Sequence, residues 1–523
     1  MLRRRLVLSL LFVAAFLLSS EDPRAQARSF DLLTASIADI HAAVDAGALT
    51  YERLVGLYLK RIDAYDKQGP SLRAILAINP RAAEIARALD EERKAKGRRS
   101  LLHGIPIAVK DNIDTAGMPT TGGNEAFANS RPASDATIIQ RLRDAGAIIF
   151  VKTNMDEMAQ ATAGISTVGG QILNPYDLTK GPGGSSGGTG VAIAAGFATV
   201  GLGTETGVSV RSPASNNMLV GIVPSRGLVS RAGVIPISFT QDRIGPLAKT
   251  VADAAILLTH MRGFDADDLS TAESLERPLP TYTTWSATGL RGKRIGVLRD
   301  MFRKGDLVQA GNALIEKQLD LMRAQGAIVV DGLATGVDLL GLMPTLRVNS
   351  YELQQSFDSY LRRRGPASPM KTFAELYASG KWLKGGILET RFHETMQAGT
   401  LETNVEYQSR LANQKMVRDL LVGVMNRYGV EALVYPMKPL AAPKVGAADD
   451  GPRDNNISAV TGLPAIVLPS GMDAAGLPLA IEMLGRPFSE TTLLQLAHSY
   501  EQASRHRVPP KSSPPLAGET IQF

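Results

Sequence analysis

The feature that most constrains this chain is a glycine-rich segment in its first half. Six of the ten residues 181–190 (GPGGSSGGTG) are glycine, although glycine supplies only 50 of the 523 residues overall. Because so little side-chain volume cannot form a core element, the segment is either a flexible linker or a loop whose backbone adopts shapes closed to other residues.

The flanking segments argue against a linker. Upstream, residues 102–112 (LHGIPIAVKDN) read as a short apolar strand that ends at Lys110. Downstream, residues 203–213 (GTETGVSVRSP) follow an apolar stretch and carry Ser209, 24 positions beyond Ser185. A linker is not bracketed by apolar segments that are punctuated by turn residues. We therefore interpret the glycine loop as half of an active site.

These three segments resemble the amidase signature family, serine hydrolases that cleave carboxamides. The family pattern is a lysine after a Gly-Ile-Pro strand, a GGSSGG loop and a GT(D/E)xGGS segment, and this chain carries each in order with one departure, at position 208. Residues 220–255 and 461–488 extend the resemblance and are closest to the peptide-amidase-like branch. The resemblance covers about residues 30–505 and is weakest between about 265 and 440.

The resemblance implies an α/β fold: a single large domain, here residues 28–505, with a mixed central β-sheet flanked by helices. Residue patterning agrees. Residues 136–146 predict a helix with a glycine stop, residues 147–151 a buried strand, and the same order recurs over residues 313–330. Residues 31–66 predict two amphipathic helices separated near Gly47.

The resemblance also implies a catalytic triad. Ser209 is then the nucleophile, Lys110 the base and Ser185 the bridge that passes the proton, with the Gly184–Ser185 peptide bond held cis. The chain has no cysteine, and its six histidines are scattered singly. This excludes thiolate catalysis and cysteine zinc sites, and we expect neither a metal nor a cofactor. His103, the one histidine near a motif, is interpreted as structural.

Lysine acts as a base only when neutral, and a free lysine has a pKa of about 10.4. Lys110 follows an apolar run, so burial is expected to lower its pKa by roughly 3 units. The alternative is a surface lysine at a strand end, paired with Asp111.

An amidase also needs donors for the oxyanion of the tetrahedral intermediate. We expect them to be the backbone N–H groups of Thr206, Gly207, Val208 and Ser209, followed by a helix with Pro213 in its first turn. Val208 departs from the family pattern, which has glycine there. Either the turn requires positive φ and valine is strained, or φ is negative and the valine side chain narrows the acyl pocket.

Other functions of a glycine loop fit poorly. A phosphate-binding P-loop closes with lysine, whereas Lys180 precedes these glycines, and the spacing of a dinucleotide-binding loop is absent. A net charge of +6 without a clustered basic face does not indicate nucleic-acid binding.

The termini predict separate segments. Residues 1–27 have three arginines, thirteen largely apolar residues and a final Ala-Gln-Ala, the layout of a signal peptide that would export the protein to the periplasm or medium. An uncleaved anchor is the alternative. Residues 506–523 contain four prolines and predict a loosely held tail.

The function expected is a metal-independent serine hydrolase that cleaves small carboxamides, anilides, peptide amides or carbamates. It would act on a small amide substrate without an obligatory protein partner or nucleic acid, and could form a homodimer. The alternatives are a glutaminase subunit of a tRNA-dependent amidotransferase and an inactive binding protein. Four aromatic residues of the variable segment could line an acyl site or belong to the core: Tyr351, Phe357, Tyr360 and Trp382.

Overall fold

The computed structural model of the protein describes residues 28–277, 279–283, 285–446 and 455–523. The predicted signal peptide, residues 1–27, lies outside the described residues.

The strands are short, and most are buried along their whole length. Their bounds are β1 Ser29–Phe30, β2 Ile75–Ile78, β3 Pro106–Lys110, β4 Ile148–Thr153, β5 Ile165–Ser166, β6 Gly170–Gln171, β7 Val200–Glu205, β8 Val220–Val223, β9 Arg243–Ala248, β10 Arg294–Val297, β11 Ile328–Val330, β12 Ala432–Pro436, β13 Ala465–Met472, β14 Pro478–Leu484 and β15 Ile521–Gln522.

The helices are α1 Ile37–Asp45, α2 Tyr51–Arg61, α3 Ala82–Lys96, α4 Thr137–Asp144, α5 Gly187–Ala194, α6 Arg211–Asn216, α7 Val251–Met261, α8 Asp306–Ala324, α9 Leu339–Leu342, α10 Asn349–Arg364, α11 Phe373–Ser379, α12 Gly386–Gln397, α13 Val405–Arg427, α14 Ile457–Thr461 and α15 Glu490–Ser504.

Eleven strands of the described residues form one mixed sheet in the order β11-β10-β12-β14-β13-β8-β9-β7-β3-β4-β2. The pairs β10/β11, β10/β12, β3/β4 and β3/β7 are parallel, and the other neighbours are antiparallel. Helices pack against the sheet, as expected for the α/β class. The predicted fold, one mixed sheet flanked by helices, is confirmed.

The local predictions also hold. The two N-terminal amphipathic helices are α1 and α2, and each begins at a side-chain cap, Ser36 and Thr50. The two predicted helix-glycine-strand units are α4 with β4 and α8 with β11.

Three central strands bring the chemically important segments to one edge of the sheet. β3 and β7 run parallel, with Val109 beside Leu202, so Lys110 and Glu205 end at the same edge. β9 runs antiparallel to β7, and Arg243 at its start faces Glu205. Because the carboxyl ends of parallel strands meet at one edge, segments far apart in sequence converge there.

The C-terminal segment differs from its prediction. Residues 506–523 are not loosely held: β15 pairs with β1, and Glu519 forms a buried salt bridge with Arg61 on α2. Arg61 also donates to the carbonyl oxygens of Ser513 and Pro514. Proline prevents helix formation here, but it does not prevent packing against the domain.

The aromatic residues of the variable segment belong mainly to a core. Phe357, Tyr360 and Trp382 pack in a cluster with Phe127 and Phe392, whereas Tyr351 is partly buried beside Tyr407. Of the helices in the described part of the chain, none is both long and apolar enough to span a membrane.

Candidate active site

Lys110 ends β3 and is completely buried. Its Nζ lies 2.7 Å from Ser185 Oγ, 2.8 Å from Thr204 Oγ1 and 3.2 Å from the Thr204 carbonyl oxygen. Asn112 donates to the same Thr204 hydroxyl at 3.0 Å. The predicted lysine and bridging serine are therefore in contact, although 75 residues separate them.

These three contacts fit both protonation states, because an ammonium can donate to all three oxygens, whereas a neutral amine can donate to two of them and direct its lone pair at the third. A neutral lysine has two N–H bonds and one lone pair. When its two hydrogens are donated to the carbonyl and hydroxyl oxygens of Thr204, the lone pair is directed at the hydroxyl of Ser185. Thr204 thus orients the amine so that it can accept a proton from the serine.

Burial gives Lys110 the protonation behaviour that a base needs. Desolvation lowers the pKa of Lys110 to about 7, and the nearby Asp156 carboxylate opposes this shift. The alternative pairing with Asp111 is not formed. Asp111 lies instead 3.4 Å from Lys152, which is itself completely buried.

Asp156 is a second buried ionisable group beside the lysine. Its Oδ1 accepts the N–H of Gly164 at 2.7 Å. Desolvation raises the pKa of Asp156 to about 6, against the opposing effect of that hydrogen bond and of Lys110. Its carboxylate occupies the space where a side chain at Gly184 would lie. Position 184 therefore requires glycine.

Ser185 precedes α5, and the Gly184–Ser185 bond is cis, as the resemblance implies. The loop is tied to the neighbouring turn through its backbone, because the N–H of Ser186 donates to the carbonyl of Ser209 at 3.2 Å. The hydrogen bond from the Ser209 hydroxyl to Ser185 that a relay requires is not formed. Ser209 is 7% exposed, and its hydroxyl gives no hydrogen bond to any residue that the structure describes.

The turn that carries Ser209 leaves its backbone donors free. Among described residues, the N–H groups of Thr206, Gly207, Val208 and Ser209 have no hydrogen-bond acceptor. The next N–H, that of Val210, donates to Glu205 at 2.9 Å. Four successive unpaired N–H groups in one turn can bind an anionic oxygen. Helix α6 then begins, with Pro213 in its first turn as predicted.

The backbone at Val208 does not adopt a positive φ, since Val208 is absent from the described non-glycine residues with that conformation. Its side chain is 5% exposed and packs in the main hydrophobic core. Of the two cases that the sequence left open, the strained turn is wrong.

A buried charge network holds this turn from behind. Arg211 Nε donates to Glu205 at 2.7 Å, its Nη1 donates to both oxygens of Glu482 at 2.8 Å, and its Nη2 donates to the Gly207 carbonyl at 2.6 Å. Tyr435 donates to the Glu482 carboxylate at 2.8 Å. Desolvation raises the pKa of Glu482, an effect that the charge of Arg211 opposes. The network fixes the carbonyl side of the turn and leaves its N–H side open.

Sequence reasoning missed Thr204, Asp156 and the partners of Arg211. Thr204 and Glu205 lie in the motif that carries Ser209, so their proximity to it was a usable signal. Glu482 is 271 residues from Arg211, and no local pattern connects them. His103 is structural, as interpreted: its Nε2 lies 2.9 Å from the Leu89 carbonyl oxygen.

Comparison with known proteins identifies the family of the chain. The model of the family described as Amidase matches residues 53–494. A probable amidase of Arabidopsis thaliana is 34% identical over 96% of this chain and 97% of its own length. A glutamyl-tRNA(Gln) amidotransferase subunit of Rippkaea orientalis is 32% identical over 92% of this chain and 100% of its own. The crystal structure of the native peptide amidase from Stenotrophomonas maltophilia superposes with a TM-score of 0.84 at 35% identity, over 94% of this chain and 100% of that one. The chain belongs to the amidase signature family and is an amide-hydrolysing enzyme.

Proposed function

We propose that the protein is a standalone serine amidase that hydrolyses small carboxamides through an acyl-enzyme on Ser209. Lys110 is the base, Ser185 carries the proton between Lys110 and Ser209, and the free N–H groups of residues 206–209 bind the oxyanion. Neither a metal nor a cofactor takes part in this scheme.

In the proposed reaction the Ser209 hydroxyl first turns to hydrogen-bond Ser185, a contact that is not formed in the structure. Ser209 Oγ attacks the amide carbonyl carbon while its proton passes through Ser185 to Lys110. The tetrahedral intermediate collapses, the C–N bond breaks, and the proton returns by the same route to the leaving nitrogen. Water then attacks the ester, giving up its proton along that route, and the carboxylic acid leaves with Ser209 restored. The sum is amide plus water giving acid plus amine.

One observation carries the proposal: a completely buried lysine with a pKa of about 7 lies 2.7 Å from Ser185 Oγ. A lysine buried without a carboxylate bonded to it is costly for folding, and perturbed groups of this kind cluster at functional sites.

The test is substitution within the triad. Ser209→Ala and Lys110→Ala should each lower kcat/KM for a p-nitroanilide or a peptide amide by at least about a thousandfold, because triad members act as a unit. Ser212→Ala, in the first turn of α6, is the matched control and should keep most activity. Activity retained in Ser209→Ala but lost in Ser212→Ala would reassign the nucleophile.

The peptide amidase likeness favours action without a partner, whereas the amidotransferase subunits among the relatives make a glutaminase the second candidate. The purified chain alone should hydrolyse small amides at rates that added glutamine does not inhibit. Activity confined to glutamine, and dependent on added partner subunits, would favour the second candidate. A chain that a fluorophosphonate fails to label on Ser209 would be an inactive binding protein.

We further propose that the protein is exported, because residues 1–27 have the layout of a signal peptide. Expression of the full chain in a Gram-negative host should place the activity in the periplasm, and the N-terminus of the purified protein should follow Ala27. Activity that stays with the cytoplasmic fraction would refute export.

A further inference from the structure

Another buried carboxylate lies on α10, inside the segment where the sequence resembles its family least. Glu352 is completely buried. Its Oε2 accepts the N–H of Thr240 at 3.0 Å and the hydroxyl of Ser238, and its Oε1 accepts the hydroxyl of Tyr407 at 2.8 Å and that of Thr240. No salt bridge reaches Glu352 from the residues described. Four donated hydrogen bonds, in place of a positively charged side chain, thus stabilise the buried carboxylate of Glu352.

Three of these four hydrogen bonds are donated by one loop, residues 237–242. Through hydrogen bonds this loop contacts both α10 and the turn that carries Ser209. Asp242 closes the loop by accepting the N–H groups of Ile237 at 2.8 Å and Ser238 at 3.0 Å. The other oxygen of Asp242 accepts the hydroxyl of Thr206, the first residue of the oxyanion turn.

A second connection runs beside the first. Gln241 Nε2 donates to the carbonyl of Thr206 at 2.8 Å, and its own N–H donates to the hydroxyl of Ser238 at 3.0 Å. Gln241 Oε1 accepts the N–H of Val348 at 3.1 Å, just before α10. Both the hydroxyl and the carbonyl of Thr206 are therefore fixed by a loop that Glu352 in turn holds.

We propose that Glu352 is a positioning residue for the oxyanion turn: it fixes loop 237–242, and through Asp242 and Gln241 it fixes Thr206 and the N–H groups that follow. This inference rests on the proposed amidase function. A carboxylate suits the role because its two oxygens can accept all four hydrogen bonds. If one of these oxygens were replaced by a group that cannot accept, its buried donors would be left without a partner, which is costly. The variable segment thereby contributes to the reaction without touching the substrate.

If Glu352 only stabilised the fold, its replacement would lower the stability without changing the turn that carries Ser209. The test must therefore measure the stability of the protein and the mobility of that turn separately. Glu352→Gln replaces one acceptor oxygen with a donor and breaks up to two of the four bonds. Hydrogen exchange should become faster in peptides covering residues 237–242 and 205–210, and kcat should fall about ten- to a hundredfold with KM little changed.

Asp90→Asn is the matched control, because Asp90 is also buried and accepts the N–H groups of Tyr51 and Glu52 without a cation. It should lower the melting temperature and leave both readouts unchanged.

Tyr407→Phe provides the milder variant if Glu352→Gln does not fold, since it removes a single donor. It should change exchange and kcat in the same direction but less. Faster exchange confined to residues 237–242, with residues 205–210 and kcat as in the parent protein, would overturn the proposal. The exchange result does not depend on activity, so failure of the amidase function would appear separately, as an inactive parent protein with an intact exchange response.

Discussion

At the residue scale, the environment of Lys110 decides whether the site can work near neutral pH. A lysine in water is almost fully protonated there, and only its removal from solvent at the end of β3 changes that. The neighbouring Asp156 limits the change, because its negative charge favours the protonated amine. Asp242 and Glu205 act in the same direction as Asp156, and the balance between burial and these carboxylates sets the pH at which the base becomes available.

We therefore expect kcat/KM to rise with pH through an apparent pKa of about 7, as Lys110 loses its proton, and to be unaffected by chelators. Asp156→Asn removes the charge that favours protonation, so the rise should move to lower pH. Initial rates measured from about pH 5 to 10 would check both. Were the rise to stay in place in Asp156→Asn, or activity to require zinc after EDTA treatment, the lysine assignment would fail.

Val208 gives a second test at the same scale. Since its φ is not positive, replacement by glycine relieves no strain and removes a buried side chain, at a cost of about 1–3 kcal/mol. Val208→Gly should lower the melting temperature, and acceptance of bulkier acyl groups by the variant would show that the side chain also borders the acyl pocket. Thermal unfolding and a substrate series of increasing acyl size are the measurements. A variant that is more stable and faster on every substrate would contradict this account.

At the scale of elements, glycines let α5 approach the sheet. A Cβ at Gly188 would overlap the carbonyl oxygen of Asn154 and lie 2.7 Å from that of Ala74. At Gly201 on β7, a Cβ would lie 2.5 Å from Thr189 Cγ2 on the same helix. The close approach of α5 to β7 and β4 places Ser185, at the start of that helix, against Lys110 at the end of β3.

Gly188→Ala should consequently destabilise the protein and lower activity together, because backbone carbonyls cannot move aside as a flexible side chain can. Gly56→Ala is the control, since Gly56 lies within α2 and a Cβ there has no neighbour within 4 Å. That change should stabilise the protein by up to about 1 kcal/mol. Denaturant unfolding of both variants, with kcat/KM, would check the contrast; equal effects would show that α5 does not need its close approach.

At the scale of the whole molecule, the first and last segments that the structure describes meet. β1 pairs with β15, and the Arg61–Glu519 salt bridge is 0% and 1% exposed on its two sides. Arg61 donates further to carbonyl oxygens of Ala195 and Ser513, so the C-terminal segment covers α2 and the end of α5. The contact through Arg61 is at the C-terminal end of α5, whereas Ser185 precedes the first residue of that helix.

Glu519→Gln should lower the stability by about 3–5 kcal/mol, because a buried guanidinium would lose its ion-pair partner. The expected kcat is unchanged, as the pair makes no hydrogen bond to a residue of the proposed triad. Glu84→Gln, which breaks the exposed pair with Arg81, is the control and should cost far less, because solvent screens that pair. Urea unfolding followed by activity assays would check this, and similar losses in the two variants would mean that the C-terminal segment contributes little.

The sequence by itself determined the local helix-glycine-strand units, which follow from periodicity and turn residues and so are properties of neighbouring residues. Through its motifs and their resemblance to the amidase signature family, it also implied the class of fold and the proposed catalytic segments. Only the tertiary structure showed that Lys110 is buried against Thr204, that the N–H groups of residues 206–209 are free, and that Val208 avoids positive φ. Only the tertiary structure showed that Glu482 contacts Arg211 and that Glu352 contacts loop 237–242. It also showed that residues 506–523, which their prolines predicted to be loosely held, pack against the domain. The physical reason is that desolvation, hydrogen-bond pairing and side-chain packing depend on groups hundreds of residues apart, and these become neighbours only when the sheet has assembled.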